Sequence, residues 1–296
     1  MMIILIMALD KLIKDSKLTE AELKALLKSR AGGDPSVRHK YEPAKSHYRF
    51  GVLSDTHIGS NKFSESLFEF AGDTFRKQKI KDVYHVGDIL EGMSGRPGHV
   101  YELNRIGFTA QMDYAEQLWR DYMKGINTHG IIGNHDGWFM KKGDMGANPG
   151  VELERRLEGS NSPFEYLGDS EADVHLGKIR MKLFHPADGT AYATSYKLQK
   201  LIESFDGGDK PNIVLEGHYH KSLYMNCRNV HGLECGTVCG QTGWMRGKKI
   251  PAHMGFWIVD VGADSHGVNS FNPTFYPGYT DSKIGADFSK PKRRSK

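Results

Sequence analysis

The sequence predicts an α/β domain, and three observations carry that expectation. From Tyr48 to Val261, short apolar runs of strand length alternate with longer stretches whose apolar residues recur at helical spacing. A chain of 296 residues can bury a sizeable core. Its 39% hydrophobic and 26% charged residues place it among soluble globular proteins rather than disordered or membrane ones. No stretch approaches the roughly twenty apolar residues that a membrane-spanning helix needs.

Taken in order, residues 1–30 read as a short helical hairpin. Leu9, Leu12 and Ile13 share one face. In "LTEAELKALL", Thr19 is an N-cap with Glu22 as its capping-box partner, and Leu18 staples against Leu23. Leu26 and Leu27 extend the stripe until "AGGDP" stops it. Two such helices can also open a helix-turn-helix DNA reader, but "SVRHKYEP" is too short to supply the recognition helix. The opening "MMIILIMALD" is a short apolar run with no preceding basic residue and no small-residue cleavage site, so no signal peptide is expected. Three cysteines, Cys227, Cys235 and Cys239, contain no C-x-x-C pair. Together these point to a cytoplasmic protein with reduced thiols.

The α/β pattern follows. Strands are expected at 48–53, 82–86, 130–132, 179–184 and 212–215, and helices at 65–78, 108–124, 151–157 and 192–205. In the second helix, Met112, Ala115, Trp119 and Tyr122 form a core stripe. "GFWIVDV" is a last strand, ending at Val261. The implied domains are a helical segment 1–46, an α/β domain 47–263 and an extension 264–296. That extension ends in "KPKRRSK", a solvated tail or a basic arm for nucleic acid.

Each of the five strands runs straight into polar residues of metal-binding type. They are Asp55 and His57 in "SDTHIGS", Asp88 in "GDILEG", Asn134, His135 and Asp136 in "GNHD", His185 in "FHP", and His218 and His220 in "GHYH". In α/β sheets the carboxyl ends of neighbouring strands converge on one crevice, so these groups can meet in space.

The ordered series D-x-H, GD, GNHD, H and GHxH resembles the calcineurin-like metallophosphoesterase superfamily. The resemblance covers about residues 48–261 and implies a two-sheet sandwich flanked by helices. It implies one metal held by Asp55, His57, Asp88 and His220, and a second held by Asp88, Asn134, His185 and His218, with Asp88 bridging. It places His135 beside the phosphate, oriented by Asp136. Pro186 departs from the glycine that many relatives carry after the fourth-motif histidine.

Imidazole and carboxylate ligands suit two divalent ions, Mn²⁺ foremost, with Fe²⁺, Zn²⁺ or Ni²⁺ as alternatives. Two such ions about 3.5–4 Å apart can bridge a hydroxide that attacks phosphorus in line. His135 would then act as general acid or stabilise charge as a cation, a form that Asp136 would favour. "GDILEG" and "GNHD" differ from the "GDYVDRG" and "GNHE" of protein phosphatases of this type. No ligating tyrosine follows Asp88, where Ile89 and Leu90 stand. "SDTHIGS", "GDILEG" and "PGHVYEL" are instead similar to DNA-repair exonucleases, archaeal DNA polymerase small subunits and phage phosphoesterases. The resemblance therefore implies a phosphodiesterase or nuclease acting on DNA. The alternatives are a phosphatase or cyclic-nucleotide phosphodiesterase for small substrates, and a non-catalytic scaffold subunit.

Trp244 beside Arg246 could stack a base and grip phosphate, or form an ordinary surface loop. Lys141 and Lys142 follow "GNHD" and could reach the site mouth or form a solvated charge pair; His99 could reach the substrate or be a loop histidine with no role. A nucleic-acid partner and a homodimer are the expected associations, with no membrane.

Overall fold

The computed structural model describes residues 38–141 and 147–278, the side chain of Lys141 excepted. The expected hairpin at 1–30, Lys142 and the basic tail lie outside the described residues.

Two six-stranded mixed sheets face each other. One has the order β12–β11–β2–β3–β4–β5, built from Gly267–Pro277 (β12), Gly255–Asp264 (β11), His47–Leu53 (β2), Asp82–Val86 (β3), Asn127–Ile132 (β4) and Phe164–Asp169 (β5). The other has the order β1–β6–β7–β8–β10–β9, built from Arg38–Glu42 (β1), Glu171–Leu176 (β6), Ile179–Phe184 (β7), Ile213–Glu216 (β8), Val230–Cys235 (β10) and Ser222–Cys227 (β9). In the first sheet β2, β3, β4 and β5 run parallel. In the second, β7, β8 and β10 do. Strands 38–42 and 267–277 both lie outside the expected boundaries 47–263, so the sheets are wider than that reading allowed.

The period of two along each strand sorts side chains between two layers. Phe50, Val52, Tyr84, Val86 and Ile131 pack inward against Met181, Leu183, Ile213, Leu215 and Leu233 of the opposite sheet. Leu53, Val83 and Ile132 point the other way, into a second core with Glu65–Lys77 (α1) and Phe108–Tyr122 (α2). Gly51 sits on that face because a Cβ there would lie 2.5 Å from the Phe75 ring of α1. The expected stripe of α2 is core: Met112, Ala115 and Trp119 are fully buried, and Trp119 Nε1 donates to Thr128 Oγ1 at 3.1 Å. Tyr122 is half-buried and donates its hydroxyl to Glu65.

α1 starts at Ser64, whose hydroxyl accepts from Leu67 N. Helix Pro149–Leu157 (α4) starts at Asn148, which accepts from Gly150 N and Val151 N, with Pro149 at the first helical position. Helix Trp138–Lys141 (α3) precedes it. Tyr196–Ser204 (α5) covers the outer face of the second sheet through Leu198 and Ile202. It begins four residues later than expected, and residues 192–195 belong to the preceding loop.

The expected loop at 241–251 carries a short helix, Gly243–Gly247 (α6). No helix among the described residues is long and apolar enough to cross a membrane.

Candidate metal centre

The parallel strands β2, β3, β4, β7 and β8 end at one rim, and each delivers its motif there. Five of the ten described non-glycine residues with positive φ are Asp55, His57, Asp88, His218 and His220, at 49°, 47°, 51°, 77° and 55°. Left-handed backbone at such residues costs of order 1–3 kcal/mol each and persists only where the surroundings enforce it. Its concentration at five expected ligands ties the strain to side-chain placement.

The motif glycines make room. Gly87 has φ +85°, and a Cβ there would lie 2.4 Å from His185 Nδ1. A Cβ on Gly133 would lie 2.2 Å from Asp88 Oδ1 and 2.6 Å from His185 Nε2.

Donors converge in three groups; two hold the expected ligands, and the third joins His57 to Glu91 and His135. In the first, His57 Nε2 and His220 Nε2 are 2.9 Å apart, with Asp55 Oδ1 at 3.8 and 3.3 Å from them. In the second, Asp88, His185 and His218 come together, and Asn134 Oδ1 lies 3.2 Å from His185 Nε2. One atom faces both groups: Asp88 Oδ2 is 3.2 Å from His185 Nε2 and 3.7 Å from His57 Nε2. The other oxygen, Oδ1, accepts from His135 N at 2.8 Å.

Carbonyls settle two of the tautomers, because a carbonyl can only accept. His185 Nδ1–H donates to Val86 O at 2.7 Å, leaving Nε2 for a ligand. His218 Nε2–H donates to Asp188 O at 2.7 Å, leaving Nδ1. Asp55 accepts the His218 backbone N–H and the Ser54 hydroxyl. These outer partners orient the imidazoles in the manner usual for metal sites. Pro186 does not disturb His185, which remains buried with both ring nitrogens engaged.

Electrostatics favour a cation. Burial raises Asp88 and Asp55, yet the imidazoles around them override it and hold both carboxyls well below the usual range. Burial lowers His185, but Asp88 and Asp55 push it up to about 9. His57 is likewise raised well above its ordinary value by Asp55, Glu91 and Asp88, against burial. A divalent ion would take the place of these protons, and buried carboxylate and imidazole oxygens and nitrogens are suitable donors for it.

Asp136 does not orient His135. Its carboxylate accepts from the backbone N–H groups of Ile89, Leu90 and Gly133 at 3.0, 2.8 and 2.9 Å, tying the β3 and β4 loops together. Burial pushes it up to about 7, with Asp88 adding to the rise. The residue that holds His135 is Glu91, which the sequence reading missed. His135 Nδ1–H donates to Glu91 O at 2.9 Å. The Glu91 carboxylate lies 3.0 Å from His57 Nδ1, an ion-pair contact rather than an aligned hydrogen bond. It lies 2.9 Å from His99 Nε2. The signal was present as a carboxylate three residues after Asp88 in "GDILEG".

His99 is therefore a buried support. Its Nε2 meets Glu91, and its Nδ1 accepts from Ser94 N at 3.1 Å, so neither nitrogen is offered to a ligand. His135 is open to the cavity at one edge, with 23% of its side chain exposed, and its ring lies 3.9 Å from that of Trp138. Burial pulls it down to about 4, partly offset by Asp88.

A cavity of about 540 Å³ joins the donors to a wall formed by Trp138, Trp244, Met245, Lys248 and Ile250. Trp244 lines it. Arg246 is exposed and does not line it, whereas Arg96 and Lys248 do. Lys141 ends α3, beyond which the expected contact of Lys142 lies outside the described residues.

The family model described as the calcineurin-like phosphoesterase superfamily domain matches residues 48–261. The chain belongs to this superfamily. Its sheets and helices are those of the calcineurin-like phosphoesterase fold, and the superfamily is one of metal-dependent phosphoesterases.

A DNA polymerase II small subunit from Methanothermobacter thermautotrophicus is 23% identical over 257 residues, covering 72% of this chain and 51% of that protein. The chain thus spans about half the length of this curated relative. Among solved structures, a novel archaeal phosphodiesterase is 15% identical with a TM-score of 0.44, over 77% of this chain and all of that one. GAP50 of Plasmodium, the anchor in the inner membrane complex, is 9% identical with a TM-score of 0.45, over 79% and 85%. Zinc-complexed Vps29 of Entamoeba histolytica is 12% identical with a TM-score of 0.40, over 78% and 99%.

Glu91→Gln is expected to lower metal affinity and turnover together, by about 10–100-fold, as loss of an outer-shell carboxylate does. Mn²⁺ titration calorimetry beside steady-state kinetics checks this. Unchanged affinity would remove Glu91 from the site's support.

Proposed function

We propose that this calcineurin-like phosphoesterase is a dinuclear phosphodiesterase that cleaves DNA. The observation that carries the dinuclear part is the position of Asp88 Oδ2, within 3.7 Å of donors from both groups. One ion would be held by Asp55, His57, Asp88 and His220, the other by Asp88, Asn134, His185 and His218. Mn²⁺ is the first choice for this thiolate-free set, with Fe²⁺, Zn²⁺ or Ni²⁺ as alternatives. Bound there, two divalent ions would lower the pKa of a water toward neutrality and withdraw charge from the phosphoryl oxygens.

The protein's own part is placement and proton handling. Asp55 and Asp88 supply the negative charge that balances the site. His185 and His218 are fixed by the Val86 and Asp188 carbonyls, so their free nitrogens point one way. His135, with Nδ1–H committed to Glu91 O, has Nε2 alone for proton transfer; bare in the neutral ring, Nε2 would first take up a proton from solvent and then pass it to a leaving alkoxide. DNA as substrate is supported by the similarity to a polymerase small subunit and by a cavity wall that combines Trp138 and Trp244 with Arg96 and Lys248.

The test is metal-stripped protein refilled with Mn²⁺ and assayed on labelled linear DNA and on bis-p-nitrophenyl phosphate. Cleavage of both is expected. Cleavage of the ester alone would sink the nuclease part. Cleavage of neither, with Mn²⁺ demonstrably bound, would favour a scaffold subunit.

A further inference from the structure

Resting on that reading, the geometry points to a narrower substrate: a single nucleoside unit at a strand end, its base packed on Trp244, so that cleavage is confined to ends and short diesters. Three observations lead there.

The first is size. The donors and the aromatic wall share one cavity of about 540 Å³, within the ~300–1,000 Å³ that holds one small organic ligand. A sphere of that volume is about 10 Å across, whereas the major groove of a duplex is by itself ~12 Å wide. A duplex does not fit inside, and a nucleotide does.

The second is polarity along the cavity. His57, Asp88, Asn134, His135 and His220 line one part, where a phosphate would sit. Trp244, Met245 and Ile250 line another, which offers apolar surface with Lys248 beside it. An occupant must therefore carry an anionic group and a flat apolar group within one small molecule's length.

The third is that the wall is built, although it lies on a ten-residue surface segment. The Thr242 hydroxyl accepts from Met245 N at 3.2 Å and starts α6, and Met245 is buried as its anchor. Gln241 Nε2 donates to Ile250 O at 2.8 Å, closing the two ends of the segment on each other. Trp244 is nevertheless left 46% exposed. The Arg96 guanidinium approaches its ring at 5.8 Å from the centroid and is itself fixed by Glu102 at 2.6 Å. An indole carried on an anchored helix, with a guanidinium over its ring, is a stacking platform for a planar ring, and bases stack on such platforms regardless of sequence. A sugar phosphate or a phosphorylated alkyl side chain has no flat aromatic ring to use it.

Two measurements on the full chain test this. Mn²⁺-loaded protein is given linear and circular single-stranded DNA of the same sequence, with bis-p-nitrophenyl phosphate as a control for the hydrolytic centre. The linear strand should shorten from an end, and the circle should be cut at least about tenfold more slowly. Comparable cutting of the circle, with the ester hydrolysed, overturns the proposal.

The second measurement does not depend on turnover. Calorimetry compares 2′-deoxyadenosine 5′-monophosphate with deoxyribose 5-phosphate. The nucleotide should bind about tenfold tighter, the preference should vanish in Trp244→Ala, and Trp244→Phe should keep most of it. Equal affinities in the unsubstituted protein, or a preference surviving in Trp244→Ala, overturn the base subsite. Loss of ester hydrolysis with the base preference intact would instead fault the hydrolase reading and leave the subsite standing.

Discussion

His135→Ala is expected to slow DNA cleavage by about 10²–10⁴-fold, the usual worth of a placed general acid, while two Mn²⁺ ions still bind. The reason is its hydrogen bonding. Nδ1–H is committed to Glu91 O, so Nε2 is the one nitrogen that can exchange a proton with a substrate. Burial keeps the ring neutral at rest, near a pKa of about 4, and an anionic phosphodiester beside it would raise that value. The leaving group separates this role from a merely structural one. A deoxyribose alkoxide needs a proton, whereas p-nitrophenolate leaves without one. The loss should therefore be at least tenfold greater, about 1.4 kcal/mol, on DNA than on bis-p-nitrophenyl phosphate. Equal losses on both would show that His135 acts through geometry or charge and not as an acid.

Asp88→Asn is expected to cut metal binding and turnover together. The substitution keeps an Oδ1 acceptor for His135 N, so the β3 and β4 loops should stay joined. What it removes is the anionic Oδ2 that faces His57 and His185 together. A neutral amide oxygen is a poor bridge between two cations, so Mn²⁺ stoichiometry should fall below two. Hydrolysis of both substrates should drop by about 10³-fold, matching several kcal/mol of lost charge stabilisation. Thermal unfolding of the metal-free variant provides the control. A melting temperature at or above that of the metal-free parent shows that the loss is chemical.

Much of this was legible in the sequence because of where the ligands sit. Buried parallel strands are near-continuous apolar runs, so "FGVL" and "VYHV" stood out, "IRMKLF" shows a period-two alternation of apolar and basic residues, and the motif residues followed each at once. The strands that escaped are of other kinds. β5 and β6 mix acidic residues among apolar ones, β9 has no fully buried position, and β10 sets His231, Gly232 and Glu234 among apolar residues. β12 carries Pro273, which edge strands tolerate and which reads from sequence as a break.

Asp136 and Arg246 show a different limit. Each stands near a functional residue in sequence, yet its side chain goes elsewhere. The backbone after β4 turns the Asp136 carboxylate toward Ile89 and Leu90, so Glu91, 44 positions before His135, does the work its neighbour was expected to do. Arg246 lies two residues from Trp244 on one short helix, which puts the two on opposite sides, and Arg96 arrives from a distant loop instead. The left-handed backbone at five ligands was also invisible, since no glycine marks those positions.

The most direct test of the central claim is Mn²⁺ titration of the metal-free protein followed by electron paramagnetic resonance. Two ions per chain are expected, with a spin-coupled spectrum that Asp88→Asn abolishes. Binding of a single isolated ion, or two ions with no coupling between them, would contradict that claim.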